Sequence, residues 1–66
     1  MLDLNKTGIL ISAARKQKEM TQSELAAKIG VTDKAVSRWE TGRGFPDITI
    51  LPSLAEALDI TISEKA

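Results

Sequence analysis

Apolar residues recur at the three- and four-residue spacing that gathers side chains on one side of a helix, and capping signals cut this pattern into segments. In the first, from about Asn5 to Glu19, Leu10, Ile11 and Ala14 share a stripe, and Arg15, Lys16 and Lys18 near the end suit the negative pole of a helix dipole. Gly8 fits poorly there, because an interior glycine costs about 1 kcal/mol relative to alanine. Thr21-Gln22-Ser23-Glu24 is a capping box: the threonine hydroxyl accepts from the third amide of a helix while the glutamate reaches back. The helix it opens carries Leu25, Ala26 and Ile29 on one face and stops at Gly30, which takes a left-handed conformation without steric cost. Thr32 then caps a third helix running to about Thr41, with Asp33 in its first turn. Val36 and Trp39 point to one side of it; Lys34, Ser37, Arg38 and Thr41 point to the other. Residues 42–45 read as a loop. A fourth segment, Ile48 to Leu58, places Ile48, Leu51, Leu54, Ala55 and Leu58 at helical spacing, and Pro52, tolerable only in a first turn, predicts a tighter turn before it. Thr61-Ile62-Ser63-Glu64 repeats the capping pattern, announcing a fifth helix from about residue 62 that is cut short.

The expected fold is therefore all-α: residues 1–66 form one compact four- to five-helix bundle with a helix-turn-helix over 22–41. A chain this short has room for one small core, and no cysteine is present to staple it. The absence of cysteine and histidine argues against disulfides, thiolate metal sites and the commonest general base, so no metal or other cofactor is expected. There is no Gly-rich phosphate loop and no pair of carboxylates on one helix face, and the chain is too short to enclose a pocket, so neither an enzyme nor a small-molecule site is expected. No apolar run approaches the ~18 to 20 residues that span a bilayer. A cytoplasmic protein without a membrane partner is the default expectation.

Charge sharpens the picture. Nine Lys and Arg balance nine Asp and Glu, which at first argues against a nucleic-acid partner. The distribution is polarised, however: Met1 to Phe45 carries eight basic and five acidic residues, and Pro46 to Ala66 carries one basic and four acidic. The cationic excess lies with the first three helical segments.

Two short helices joined by a glycine turn make a helix-turn-helix only if certain positions are small, apolar or permissive. Leu25 and Ile29 bury the first of the two, Ala26 is small where the second crosses it, Gly30 allows the sharp turn, and Val31, Val36 and Trp39 seat the second. Trp39 could suggest base stacking, but its spacing from Val36 assigns it to the core. The stretch MTQSELAAKIGVTDKAVSRWETGRGFPD resembles the Cro-like (phage-repressor, XRE-like) helix-turn-helix family, and the likeness runs from ARKQKEMTQ to LAEALDI.

That resemblance implies that the second helix of the motif lies in the major groove of double-stranded DNA, with Thr32, Asp33, Lys34, Ser37 and Arg38 as base-contacting residues. Lys34 and Arg38, four apart, suit the O6 and N7 acceptors of guanine; Thr32 suits a thymine methyl and Asp33 the N4 amine of cytosine. Asp33 is equally explained as a helix-start acid. Phosphate contacts fall on Gln22, Ser23, Thr41 and Arg43, with surface solvation as the competing explanation for Ser23 and Thr41. The resemblance also implies an ion pair between Arg15 and Glu40 that fixes the tilt of the reading helix. Lys16, Lys18 and Lys28 read as solvated charges.

A globule of this length should have a radius of gyration of about 11 Å and span roughly 28 Å, less than the ~34 Å between half-sites one turn apart. One copy then reads one half-site, and the resemblance implies a homodimer on a near-palindromic operator. Ile9, Ile60 and Ile62, off the main stripes, are candidates for the dimer surface or for satellite core contacts. The leading expectation is a transcriptional regulator, in the family's common role of repressor; a protein-interaction module or an antitoxin on the same scaffold is the alternative.

Overall fold

The computed structural model describes residues 4–60, which form four helices: α1 (Leu4–Gln17), α2 (Gln22–Ile29), α3 (Asp33–Glu40) and α4 (Leu51–Leu58). No strand occurs among the described residues. The fifth helix expected from about residue 62, and Ile62 itself, lie outside them.

Each helix gives one side chain to a shared centre: Ile11, Leu25, Val36 and Leu54 are wholly buried. Burying a side chain of this size contributes about 1.5–3 kcal/mol, so four of them meeting at one point hold the helices together without a staple. Ala14, Ala26, Ile29, Trp39 and Leu58 complete the core. Helix α3 packs against both α1 and α2, and α4 closes the opposite side against α2 and α1.

The helix ends share one device. At Glu19, Gly30, Gly42 and Asp59 the chain turns left-handed, with φ between 57° and 77°. The next amide reaches back five residues each time: Met20 to Arg15 O at 3.1 Å, Val31 to Ala26 O at 3.0 Å, Arg43 to Arg38 O at 2.8 Å and Ile60 to Ala55 O at 3.0 Å. These bonds satisfy carbonyls that a helix terminus otherwise leaves without partners. Three of the four residues that follow the left-handed position, Met20, Val31 and Ile60, fold back onto the core. The expectation that α1 continues to Glu19 is corrected here: it ends at Gln17 because Glu19 is the left-handed residue.

Two apolar positions also depart from expectation. Leu10 shares the spacing of the buried stripe of α1 but is 49% exposed, because Ile11 takes the centre of that face. Ile48, expected on the stripe of α4, is 77% exposed. The Asp47 carboxylate accepts from the Thr49 amide and hydroxyl, both at 3.0 Å, and the Ile50 amide donates to Asp47 O at 2.8 Å. That closed turn delays α4 until Leu51. Pro52 then sits in the first turn, where its missing N–H is no loss.

Gly8 lies well inside α1 and is buried. A Cβ there would meet the backbone carbonyl oxygens of Trp39 and Glu40, so its helix-propensity cost secures a close approach between α1 and the end of α3. No described helix is long and apolar enough to cross a membrane.

Candidate nucleic-acid interface

Helices α2 and α3 are each opened by a threonine. The Thr21 hydroxyl accepts from the Glu24 amide at 3.0 Å while the Thr21 amide donates to Glu24 Oε1 at 2.8 Å; the Thr32 hydroxyl accepts from the Ala35 amide at 3.1 Å. Between them the chain turns at Gly30, whose φ of 75° would strain any side chain. These bonds, all between residues close in the chain, set how α2 leads into α3.

Tertiary packing then sorts the residues of α3. Val36 is wholly buried and Trp39 is 8% exposed, which places the indole in the core. Thr32, Asp33, Lys34, Arg38 and Thr41 are exposed, and Ser37 is half-buried. Lys34 and Arg38 therefore project from one side of a helix anchored by the other. Beside them runs a shallow groove of about 360 Å³, lined by Thr32, Lys34 and Arg38 together with Gly44 and Phe45. Neither Gly44 nor Phe45 stands out in the sequence; only the path of the loop brings them here.

The C-terminal end of α3 is held by side chains from α1 and α2. Arg15 Nε donates to Glu40 Oε2 at 2.7 Å, Arg15 Nη2 donates to Oε1 at 3.1 Å, and Gln22 Nε2 donates to the same Oε1 at 3.1 Å. Arg15 Nη1 also donates to the Met20 carbonyl at 2.7 Å, tying this cluster to the end of α1. Burial pushes the Glu40 carboxyl toward neutrality, but hydrogen bonds from Arg15 and Gln22, the Arg15 charge and a hydrogen bond from Ser12 outweigh it and hold the pKa below the usual carboxylate range. The Arg15 guanidinium is shifted upward, chiefly by its hydrogen bonding to Glu40. The parts of Gln22 and Ser12 in this cluster escaped the sequence, since nothing local links them to a residue so far along the chain.

Among the residues assigned to phosphate, Ser23 is exposed in the first turn of α2, where helix amides lack intrahelical partners. Thr41 hydrogen-bonds through its hydroxyl to Ser37 O at 3.0 Å and Arg38 O at 3.2 Å. The amides of Thr41, Gly42 and Arg43 all donate to α3 carbonyls, which leaves the exposed Arg43 side chain as the donor reaching outward from this turn.

A family model described as helix-turn-helix matches residues 11–65. This chain belongs to that family. Within the helix-turn-helix family its likeness is to the XRE-like members. It is 36% identical over 50 residues to the HTH-type transcriptional activator BcrR of Enterococcus faecalis, a match covering 76% of this chain and 24% of that protein. The restriction-modification controller protein C.AhdI from Aeromonas hydrophila has a similar structure, with a TM-score of 0.82 at 32% identity over 89% of this chain and 86% of that one. The P22 c2 repressor, solved in complex with a synthetic operator, gives a TM-score of 0.81 at 33% identity, covering 83% of each chain. This helix-turn-helix chain spans between 24% and 42% of the length of the first curated relatives it matches.

Proposed function

We propose that this helix-turn-helix domain binds double-stranded DNA in a sequence-specific manner and regulates transcription, with α3 in the major groove. One observation carries the reading: Lys34 and Arg38 are exposed on the side of α3 opposite buried Val36 and Trp39. Cationic side chains four apart on a firmly seated helix match the acceptor pattern that guanine presents in the major groove. A relative named as a transcriptional activator and a structural neighbour bound to an operator support the same reading.

Thr32, Asp33, Lys34, Ser37 and Arg38 are the residues we assign to base edges, and Gln22, Ser23, Thr41 and Arg43 those we assign to phosphate. Gln22 gives one amide hydrogen to Glu40 and keeps a second for a phosphate oxygen. Thr41 must release a carbonyl of its own helix to donate, so Arg43 carries most of the contact at that end.

The longest dimension is 31 Å, shorter than the ~34 Å that separates half-sites one helical turn apart. One copy therefore spans one half-site, and the arrangement we propose, in line with the family resemblance, is a homodimer on a near-palindromic operator. Occupancy of a promoter in this way competes with polymerase, and repression is the sign of regulation we propose.

Zero net charge favours a competing reading, a protein-interaction or antitoxin module on the same scaffold. A salt titration of binding to a selected operator separates the two. About four phosphate contacts per copy predict a log-log slope near −3.6, and a slope near zero would reject DNA binding.

A further inference from the structure

Asn5, Gly8, Ser12 and Arg15 follow one another at three- or four-residue intervals, so they form a single row along α1. Each meets the end of α3 or the turn beyond it. Asn5 lies against Gly42, Gly8 lies against the carbonyls of Trp39 and Glu40, and Ser12 and Arg15 hydrogen-bond to the Glu40 carboxylate.

At Gly8 the approach is to backbone. A Cβ would sit 2.8 Å from the Glu40 carbonyl oxygen and nearer still to that of Trp39. Neither oxygen belongs to a side chain that can turn aside, so a methyl group there displaces the end of α3 or of α1. We propose that Gly8 is a positioning residue for base recognition: its missing side chain sets how closely α1 seats the end of α3, and so the angle at which Lys34 and Arg38 meet the groove. This rests on the reading of α3 as the base-contacting helix.

The Arg15–Glu40 pair and the Gly8 contact act on the same end of α3 in different ways. Long side chains orient it, while the glycine sets the distance. Because α3 is a rigid eight-residue helix, movement at Glu40 is carried to Lys34. Base contacts need fixed geometry, whereas phosphate contacts through flexible side chains follow a displaced surface.

The experiment compares wild type, G8A and A13G for affinity to a selected operator and to DNA of random sequence. Ala13 is exposed and two residues from Ile11, on the outer side of α1, so A13G weakens the helix without touching α3. G8A is expected to lose about tenfold in the ratio of specific to random-sequence affinity, on the order of one bidentate base contact, and to shift the fluorescence maximum of Trp39. A13G is expected to lower the melting temperature and keep the ratio. If G8A is partly unfolded, the ratio is read in trimethylamine N-oxide, which favours the compact state. An unchanged ratio in G8A, or an equal loss in A13G, overturns the proposal. Failure of the wild type to prefer any sequence overturns the DNA reading itself, a result distinct from either.

Discussion

Arg15 and Glu40, 25 residues apart in the chain, meet in a two-point fork in which Nε lies 2.7 Å from Oε2 and Nη2 lies 3.1 Å from Oε1. Their side chains are 11% and 6% exposed, so water solvates neither charge well. Such a pair fixes geometry more surely than it adds net stability, because desolvation opposes the attraction. Losing one partner is costly all the same, since it strands the other.

Arg15→Ala and Glu40→Ala should each destabilise the domain by about 2 kcal/mol, less than breaking a fully buried pair costs because both residues are half-buried. The double variant should lose at least about 1 kcal/mol less than the sum of the two. Urea denaturation of the four proteins measures the coupling, and strict additivity would show that the fork is energetically idle.

The same pair predicts a pH dependence. The folded-state pKa of Glu40 lies below the ordinary value, so its contribution is complete above the unfolded pKa of about 4.3 and is lost as pH falls through the lowered folded value. The stability difference between wild type and Glu40→Gln should therefore be largest near neutrality and shrink as pH falls below the unfolded value and through the lowered folded one. Asp47 is also held below its usual range, by the Thr49 amide first and the Thr49 hydroxyl second, but it titrates in both proteins and cancels. A gap that stays constant or widens in acid contradicts the assignment.

Glu19 holds a left-handed φ of 58° at the end of α1. A side chain there costs roughly 1–2 kcal/mol, and replacing it with glycine returns part of the gain through a more flexible unfolded chain. Glu19→Gly should stabilise by about 0.5 kcal/mol. Asp59→Gly should gain less, because aspartate tolerates this conformation better. Thermal unfolding reads both, and a lower melting temperature for Glu19→Gly would refute the account of that turn.

Arg38 and Arg43 should fail differently. Arg38→Ala should cost about 1–3 kcal/mol on the best operator and relax selectivity at one base position. Arg43→Ala should weaken binding to all sequences alike and reduce the salt slope by about 0.9. Identical behaviour of the two variants would dissolve the division between base and phosphate contacts.

The helix-turn-helix was legible in the chain because its signals are local. Thr21 with Glu24, Gly30, and Thr32 with Ala35 each act on partners within a few residues, so their bonds can be read before the fold is known. Burial of Val36 and Trp39 opposite Lys34 and Arg38 follows from helical periodicity alone. The remaining features depend on contacts between distant segments. Periodicity could not choose between Leu10 and Ile11, because a stripe has width and the helices that close over it select its centre. Ile48 matched the spacing of α4, yet the turn closed on Asp47 leaves it in water. Gly8 looked like a weak point in α1 until the carbonyls of Trp39 and Glu40 filled the space where its side chain would be. Where the interaction spans a few residues, composition and spacing suffice; where two surfaces must fit, the shape of the neighbour settles which atom is admitted.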